Sequence, residues 1–191
     1  MIDFTKSKQY TLSIRLSTDG FSFSIYNPIH DDSLSIIEKE INASSSLTAN
    51  LKTLFHESDF LNHPYKRVNI MMAGKRFTIA PLELFEEEQA ELLFYHNHQK
   101  KENETVLYNI LRKNNVAVIF GIDKSAQTFL NEQYPEARFY SQSTPFIDYF
   151  SVKSRLGNSK KMYASIRKDG IDIYCFERGQ DRKSTRLNSS H

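Results

Sequence analysis

Two Asp-Gly pairs, Asp19-Gly20 and Asp169-Gly170, stand 150 residues apart in a chain of 191, each flanked by segments in which apolar and polar residues alternate. Carboxylates presented in matching tight turns are one way to position a hydrated metal ion, and the backbone amides of such turns can cradle the phosphates of a nucleotide. Asp-Gly is also the commonest chemistry of a two-residue hairpin loop, and on residue types alone that structural use is the preferred reading. Lys168, beside Asp169, adds one cation that a phosphate would accept. His96 and His98 form a His-x-His pair, but residues two apart on a helix point in different directions, so they read as solvated helix-end histidines. His30, His56 and His63 have no partner at ligand spacing. The sequence holds no Gly-x-x-x-x-Gly-Lys and no Ser-His-Asp or Cys-His signature, so no catalytic residue and no metal ligand is assigned.

Elements must hold those turns in place. Tyr10–Tyr26 alternates on both sides of Asp19-Gly20, which predicts a type I′ hairpin with Thr18 opposite Phe21, Leu16 opposite Phe23 and Ile14 opposite Ile25. Met162–Phe176 repeats the pattern at an ungapped offset of 150, with Leu12, Ile14, Leu16, Phe21, Phe23 and Ile25 matched by Met162, Ala164, Ile166, Ile171, Ile173 and Cys175. That register sets Arg167 across from Asp172.

Between the hairpins helices and strands alternate. Asp32-Ser33 is read as the cap of a helix through Leu34, Ile37 and Ile41, and Leu47, Leu51, Leu54 and Phe55 mark a second helix that stops before Pro64. Arg67–Ala73 reads as a continuous apolar strand, followed by the turn Gly74-Lys75 and by Phe77-Thr78-Ile79. Pro81 is expected to open a helix with Glu86, Glu87 and Glu88 near its favourable dipole end. Thr105–Leu111 and Val116–Ile122 read as paired strands, then a helix from Lys124 to about Glu132, a strand Ala137–Ser141, and a helix capped by Thr144 and ended by Gly157-Asn158. The aromatic run Phe139, Tyr140, Phe146, Tyr149 and Phe150 is assigned to packing rather than to a peptide-binding surface. A mixed sheet packed by helices follows.

The bulk properties bound the function classes. The formal net charge is +2, and without Asp181–His191 the chain holds 22 basic and 22 acidic residues, which gives no electrostatic ground for a nucleic-acid partner. The single cysteine, Cys175, suits a reducing compartment. No apolar run is long enough to cross a bilayer and the amino terminus has no apolar leader core, so a cytoplasmic protein without membrane insertion is expected. The closing string from Arg182 to His191 has no apolar periodicity and resembles translated sequencing-adapter read-through. It is read as a non-native tail on a chain cut near Gln180.

A hairpin, helices, further strands and then a crossover helix into a repeat of the opening hairpin is the element order of the actin-like ATPase superfamily, whose two lobes are duplicated ribonuclease-H-like units. Phe77-Thr78-Ile79-Ala80-Pro81-Leu82-Glu83-Leu84-Phe85 with its flanks is similar to an uncharacterised bacterial, Bacteroidetes-type family, the domain of unknown function 3822. The resemblance covers about Lys8 to Gln180. It implies an α/β fold with residues 1–156 as a first lobe, 157–180 as the start of an incomplete second lobe, and 181–191 as the tail. It also implies ATP with magnesium as the cofactor if the turns are functional phosphate loops, with Asp19, Gly20, Asp169 and Gly170 as the binding residues. Active members place an Asp two residues before the turn glycine and a small residue after it. Here Thr18 and Phe21 occupy those places, and the second turn lacks the second glycine. The leading expectation is therefore a non-catalytic scaffold that binds a protein partner, and the rival is an ATPase or kinase with divergent loops. A third reading, a complete one-domain α/β protein of unrelated fold, predicts a compact monomer.

Overall fold

The structure, a computed structural model, describes residues 2–29, 34–155, 159–167, 170–177 and 180–187. Its elements run β1 (Thr11–Ser17), β2 (Gly20–Tyr26), β3 (Leu34–Lys39), α1 (Leu47–Glu57), β4 (Arg67–Met72), β5 (Phe77–Pro81), α2 (Ala90–Asn97), β6 (Glu104–Leu111), β7 (Val116–Asp123), α3 (Lys124–Gln133), β8 (Arg138–Ser141), α4 (Ser143–Ser154), β9 (Lys161–Arg167), β10 (Gly170–Glu177) and β11 (Gln180–Leu187). The chain divides into two compact units, one of Met1–Gly74, Lys100–Thr105 and Gly121–Tyr140, the other of Lys75–Gln99, Val106–Phe120 and Ser141–His191.

The first unit is built on a five-stranded mixed sheet of order β3-β2-β1-β4-β8, antiparallel from β3 to β1 and parallel between β1 and β4. Alternation in β1 and β2 puts Leu12, Ile14, Leu16, Phe21, Phe23 and Ile25 on one buried face. Leu51, Leu54 and Phe55 of α1 and Ala126 and Leu130 of α3 belong to the same core. Burying each of the larger of these side chains contributes about 1.5–3 kcal/mol. Both helices begin where the sequence offers a side-chain acceptor: Ser46 accepts from the Ala49 amide, and Asp123 from the Ala126 amide at 2.8 Å.

Two expectations for this unit are corrected. Leu34–Lys39 is the strand β3, not a helix, and its pairing with β2 is continuous from Leu34 to Lys39. Ser35 and Ile37 are half-buried while Leu34 and Ile36 are exposed, a period of two, and the β-branched Ile36-Ile37 suits the pleat. Its supposed cap, Asp32-Ser33, lies outside the described residues. The hairpin is also two residues out of the expected register, because Leu16 pairs with Phe21, Ile14 with Phe23, Leu12 with Ile25 and Ser17 with Gly20. The loop is Thr18-Asp19. A type I′ turn needs positive φ at both central residues, and among the described residues Asn115 alone of the non-glycines has it. Gly20 instead uses its freedom at the closing position, at φ +143°, where a Cβ would stand 3.0 Å from the Lys39 carbonyl oxygen. A shift of two preserves parity, so the same side chains still share one face.

In the second unit β7 lies between β5 and β6. Val116 and Val118 join a cluster with Ile147 of α4 and with Tyr174 and Phe176 of β10, whereas Ile119 joins Ala80 and the α2 residues Ala90 and Phe94. Pro81 does not open the expected helix through Glu86, Glu87 and Glu88; only a 3-10 turn, Leu82–Leu84, follows it. It ends the edge strand β5, paired with Val116, and an edge is where a strand tolerates proline. Glu87 and Glu88 fall in a 3-10 turn just before α2. Thr144 does not cap α4, which starts at Ser143; its hydroxyl donates to Asn109 Oδ1 at 2.7 Å, and the same oxygen accepts from the Ser141 amide. Gly157-Asn158 lies outside the described residues.

The third sheet has the order β11-β10-β9. Arg167 pairs with Gly170, Ile166 with Ile171, Ala164 with Ile173 and Met162 with Cys175, the β1–β2 register moved by 150 residues. Asp172 consequently faces Ser165 and not Arg167.

Candidate functional site

The turn singled out from sequence sits at the end of the β1–β2 ribbon. Asp19 Oδ1 lies 3.7 Å from Arg15 Nη1, so the loop carboxylate is engaged by a cation four residues back, on β1. Thr18, its neighbour, lines a cavity of about 300 Å³. The cavity opens where β1 and β4 end, at Leu16, Ser17, Met72 and Ala73, and is completed by the 41–45 loop and the first turns of α1. The strand ends are tied together, since the Ala73 amide donates to the Leu16 carbonyl at 2.8 Å. Asn50 ties the loop to α1. Its Oδ1 accepts from the Asn42 amide at 2.8 Å, while its Nδ2 donates to the Asn42 and Ser46 carbonyls. A nearly buried amide with all of these bonds positions the loop and has little capacity left for a ligand.

The cavity wall is chemically neutral. Leu16, Ile41, Leu47 and Met72 supply most of its bulk, Ser17, Thr18, Asn42 and Ser45 its polar atoms, and neither a carboxylate nor a Lys or Arg is among the lining residues. Magnesium needs oxygen ligands of high charge, and a triphosphate needs cations or a concentrated set of amide donors. These residues do not fit a magnesium-nucleotide. Gly170 closes the corresponding turn of β9–β10 at φ +156° and belongs to the second unit, whereas Asp19 and Gly20 belong to the first. Asp169 and Lys168 lie outside the described residues.

A second cavity, about 330 Å³, lies in the first unit between α1 and α3 and is the more polar, with Thr48, Lys52, Lys124, Ser125, Thr128 and Glu132 on its walls. Asp123, at its edge, is committed to structure: it caps α3, accepts from Asn103 Nδ2 at 2.7 Å and is within 3.4 Å of the Thr48 hydroxyl.

Of the two histidines read as solvated, His96 is exposed, whereas His98 corrects that reading: it follows the last residue of α2, is half-buried, lies with Nε2 3.0 Å from the Phe77 carbonyl oxygen and packs its ring on Phe94. His63 stacks on Phe4 and approaches Asp59 at 3.5 Å. Among the described residues no group of three His, Cys, Asp or Glu could share a metal ion. Glu87 hydrogen-bonds to Tyr108 and holds that phenol above its ordinary pKa. The aromatic run divides, with Phe139 against the core of the first unit, Phe146 and Phe150 against Tyr174 in the second, and Tyr149 exposed. Sequence reasoning missed Asn50 and Asn109, the two amides that bind loop and helix ends. Asn109 accepts the Thr144 hydroxyl that was read as the cap of α4, and Asn50 works beside the Ser46 cap of α1, so neither role is visible until the helix starts are known.

A family of proteins of unknown function, DUF3822, matches residues 1–180. No curated protein matches. Among solved structures the chain is similar to a Bacteroides thetaiotaomicron protein described as having an actin-like ATPase fold and unknown function: 78% identity over 100% of this chain and 74% of that one, with a TM-score of 0.95. It is also similar to the PilM-PilN type IV pilus biogenesis complex, at 11% identity over 94% of this chain and 62% of that one, with a TM-score of 0.51, which speaks for the fold alone. The expected α/β architecture, a ribonuclease-H-like mixed sheet within an actin-like ATPase fold, is thereby shown. No helix among the described residues is long and apolar enough to cross a membrane.

Proposed function

We propose, from the premise that the chain belongs to the DUF3822 family, that this actin-like fold has no phosphoryl chemistry and serves as a scaffold that binds another protein. The observation that carries the reading is the neutral cavity beside Thr18-Asp19, where the fold would present a metal and phosphates and the sequence instead presents aliphatic side chains, hydroxyls and amides. The pairing of Asp19 with Arg15 points the same way, since a metal-positioning carboxylate would have to be released from that contact.

Residues 1–156 are read as a first lobe, 157–180 as the start of a second, and 181–191 as a non-native tail; the repeated ribbon register and a family match ending at residue 180 favour this division, while the two compact units cut the chain elsewhere and Gln180–Leu187 pairs with β10. The balanced charge argues against nucleic acid as the partner, and the single cysteine favours the cytoplasm.

Titration of the full chain with a fluorescent ATP analogue, with and without magnesium, tests the reading. No saturable binding below about 1 mM is expected, since weaker association is worth less than about 4 kcal/mol. Magnesium-dependent binding in the micromolar range would instead establish the rival, a nucleotide-binding enzyme with divergent loops.

A further inference from the structure

Strand β3 is the last strand of the first unit's sheet, and among the described residues no strand pairs with its outer edge. The direction of its backbone groups follows from the ladder. The carbonyls of Tyr10 and Leu16 accept from the Lys66 and Ala73 amides, so even-numbered residues of β1 turn their backbone groups toward β4 and odd-numbered ones toward β2. Carried through the β1–β2 and β2–β3 registers, this alternation leaves Ser35, Ile37 and Lys39 bonded to β2 and turns the amides and carbonyls of Leu34, Ile36 and Glu38 outward. Leu34 and Ile36 are also 57% and 64% exposed, beside the exposed Tyr26 that pairs with Leu34. Sheet edges are ordinarily blunted by charge, proline, a bulge or a covering element. From Leu34 to Ile37 this edge has no charge and no proline, and its register with β2 is unbroken. A row of outward amides and carbonyls flanked by exposed aliphatic side chains is satisfied by another strand.

We propose that the strand seated on this edge is β3 of a second copy of the chain, paired antiparallel about a two-fold axis through Ile36. The outward positions read alike in both directions along the strand, which is what an isologous interface requires. Ile36 meets its own copy, and Leu34 of each copy meets Glu38 of the other, so every outward amide and carbonyl between them finds a partner. The two Glu38 carboxylates stand at opposite ends of the interface, and no like charges face each other. An axis between Ile36 and Ile37 would set outward residues against inward ones. An axis at Ile37 would set Leu34 against Glu40, beyond the end of the strand. Pairing at Ile36 carries the sheet of one copy on into the other. The inference goes beyond the scaffold reading and stands whether or not nucleotide binds.

Sedimentation velocity of the full chain across the micromolar range, up to about 200 µM, is expected to show a reversible monomer–dimer equilibrium, since an interface at a strand edge is small. Ile36→Lys sets two cations against each other on the axis and should lower the association constant by about tenfold or more. The circular-dichroism melt of the dilute chain should stay unchanged in this variant, because the position is exposed. Ile36→Pro deletes the outward amide, spares the ladder to β2 and should weaken the dimer likewise. In a Cys175→Ser background, Ile36→Cys is expected to cross-link two copies on mild oxidation, because facing residues of such a pair lie about 5.5 Å apart at Cα, within disulfide reach. Leu34→Cys, also exposed but distant from its own copy along the strand, is expected to give no cross-link. A monomer throughout that range overturns the proposal and leaves the edge to a strand of another protein. So does a dimer that survives Ile36→Lys and is not cross-linked through Ile36→Cys, because the copies then meet elsewhere.

Discussion

Ribbon β1–β2 and ribbon β9–β10 pair in the same register 150 residues apart, yet Leu16 is buried and its counterpart Ile166 lies in solvent, while Ser24 is half-exposed and its counterpart Tyr174 is fully buried. Register is a local property, set by the turn and by side-chain alternation, and both ribbons solve it identically. Which face is buried is decided by what packs on it. The second face of β1–β2 is Thr11, Ser13, Arg15, Ser17, Ser22, Ser24 and Tyr26, none of them buried, and Tyr26, the counterpart of Phe176, is exposed. The second face of β9–β10 carries Tyr163, Tyr174 and Phe176, and α4 covers it. One ribbon is thus built for the side of a sheet that stays wet, and the other has apolar side chains on both sides.

The sharpest way to break this comparison is to truncate matched positions. Tyr174→Ala removes a fully buried ring that meets Phe146 edge to face, and should cost about 3–5 kcal/mol, whereas Ser24→Ala should stay within about 0.5 kcal/mol. The inverse pair follows closely. Leu16→Ala should cost about 2–5 kcal/mol and Ile166→Ala again less than about 0.5 kcal/mol. Urea unfolding followed by far-UV circular dichroism reads all four variants. Equal costs within either pair would mean that the two ribbons are buried alike.

How far these features were legible differs by kind. The helix α1 could be read because Leu47, Leu51, Leu54 and Phe55 keep a helical period, and α3 was placed at Lys124 to about Glu132, directly after the strand that ends with Asp123, whose capping role the structure adds. The central strands β4 and β7 showed as apolar runs. The hairpin turn was misplaced because Asp-Gly suggests a type I′ loop, while the glycine is used one position later, against the third strand. β3 was misread because Asp-Ser before an apolar run mimics a helix cap and six residues are too few for the period to decide. The cavity beside Thr18 is assembled from β1, β4, α1 and a loop, so its neutrality could be seen only in part, at Thr18 itself.

Gly20→Ala sharpens the comparison at the turn. The φ of +143° is accessible only to glycine, and the added Cβ would meet the Lys39 backbone, which cannot swing aside. A loss of about 1–3 kcal/mol is expected, measured as a fall in the urea midpoint without a change in slope. A neutral outcome would show that the third strand yields at Lys39 and that the register is held by side chains alone.

The smallest expected effect separates the covers of the two ribbons by pH. Phe60 packs edge to face on Phe23 in β2, and the Tyr65 hydroxyl donates to the Phe60 carbonyl at 2.7 Å, so Tyr65 helps to hold the cover of the first ribbon. Burial pushes the Tyr65 phenol up to about 12, and burial raises Tyr134, which donates to the Leu61 carbonyl, in the same direction. A phenol whose pKa is higher in the folded than in the unfolded chain retains its proton more tightly when folded. Its contribution is therefore complete below about pH 10, the unfolded value, and is lost as pH rises through the folded one. Tyr65→Phe should cost about 1 kcal/mol at neutral pH, for one hydrogen bond, and this difference from the parent should shrink steadily between pH 10 and 12. Unfolding midpoints of the two proteins at one-unit pH intervals read that convergence. A gap constant up to pH 12 would mean that Tyr65 does not titrate on folding, and that the cover of the first ribbon is held by its apolar contacts alone.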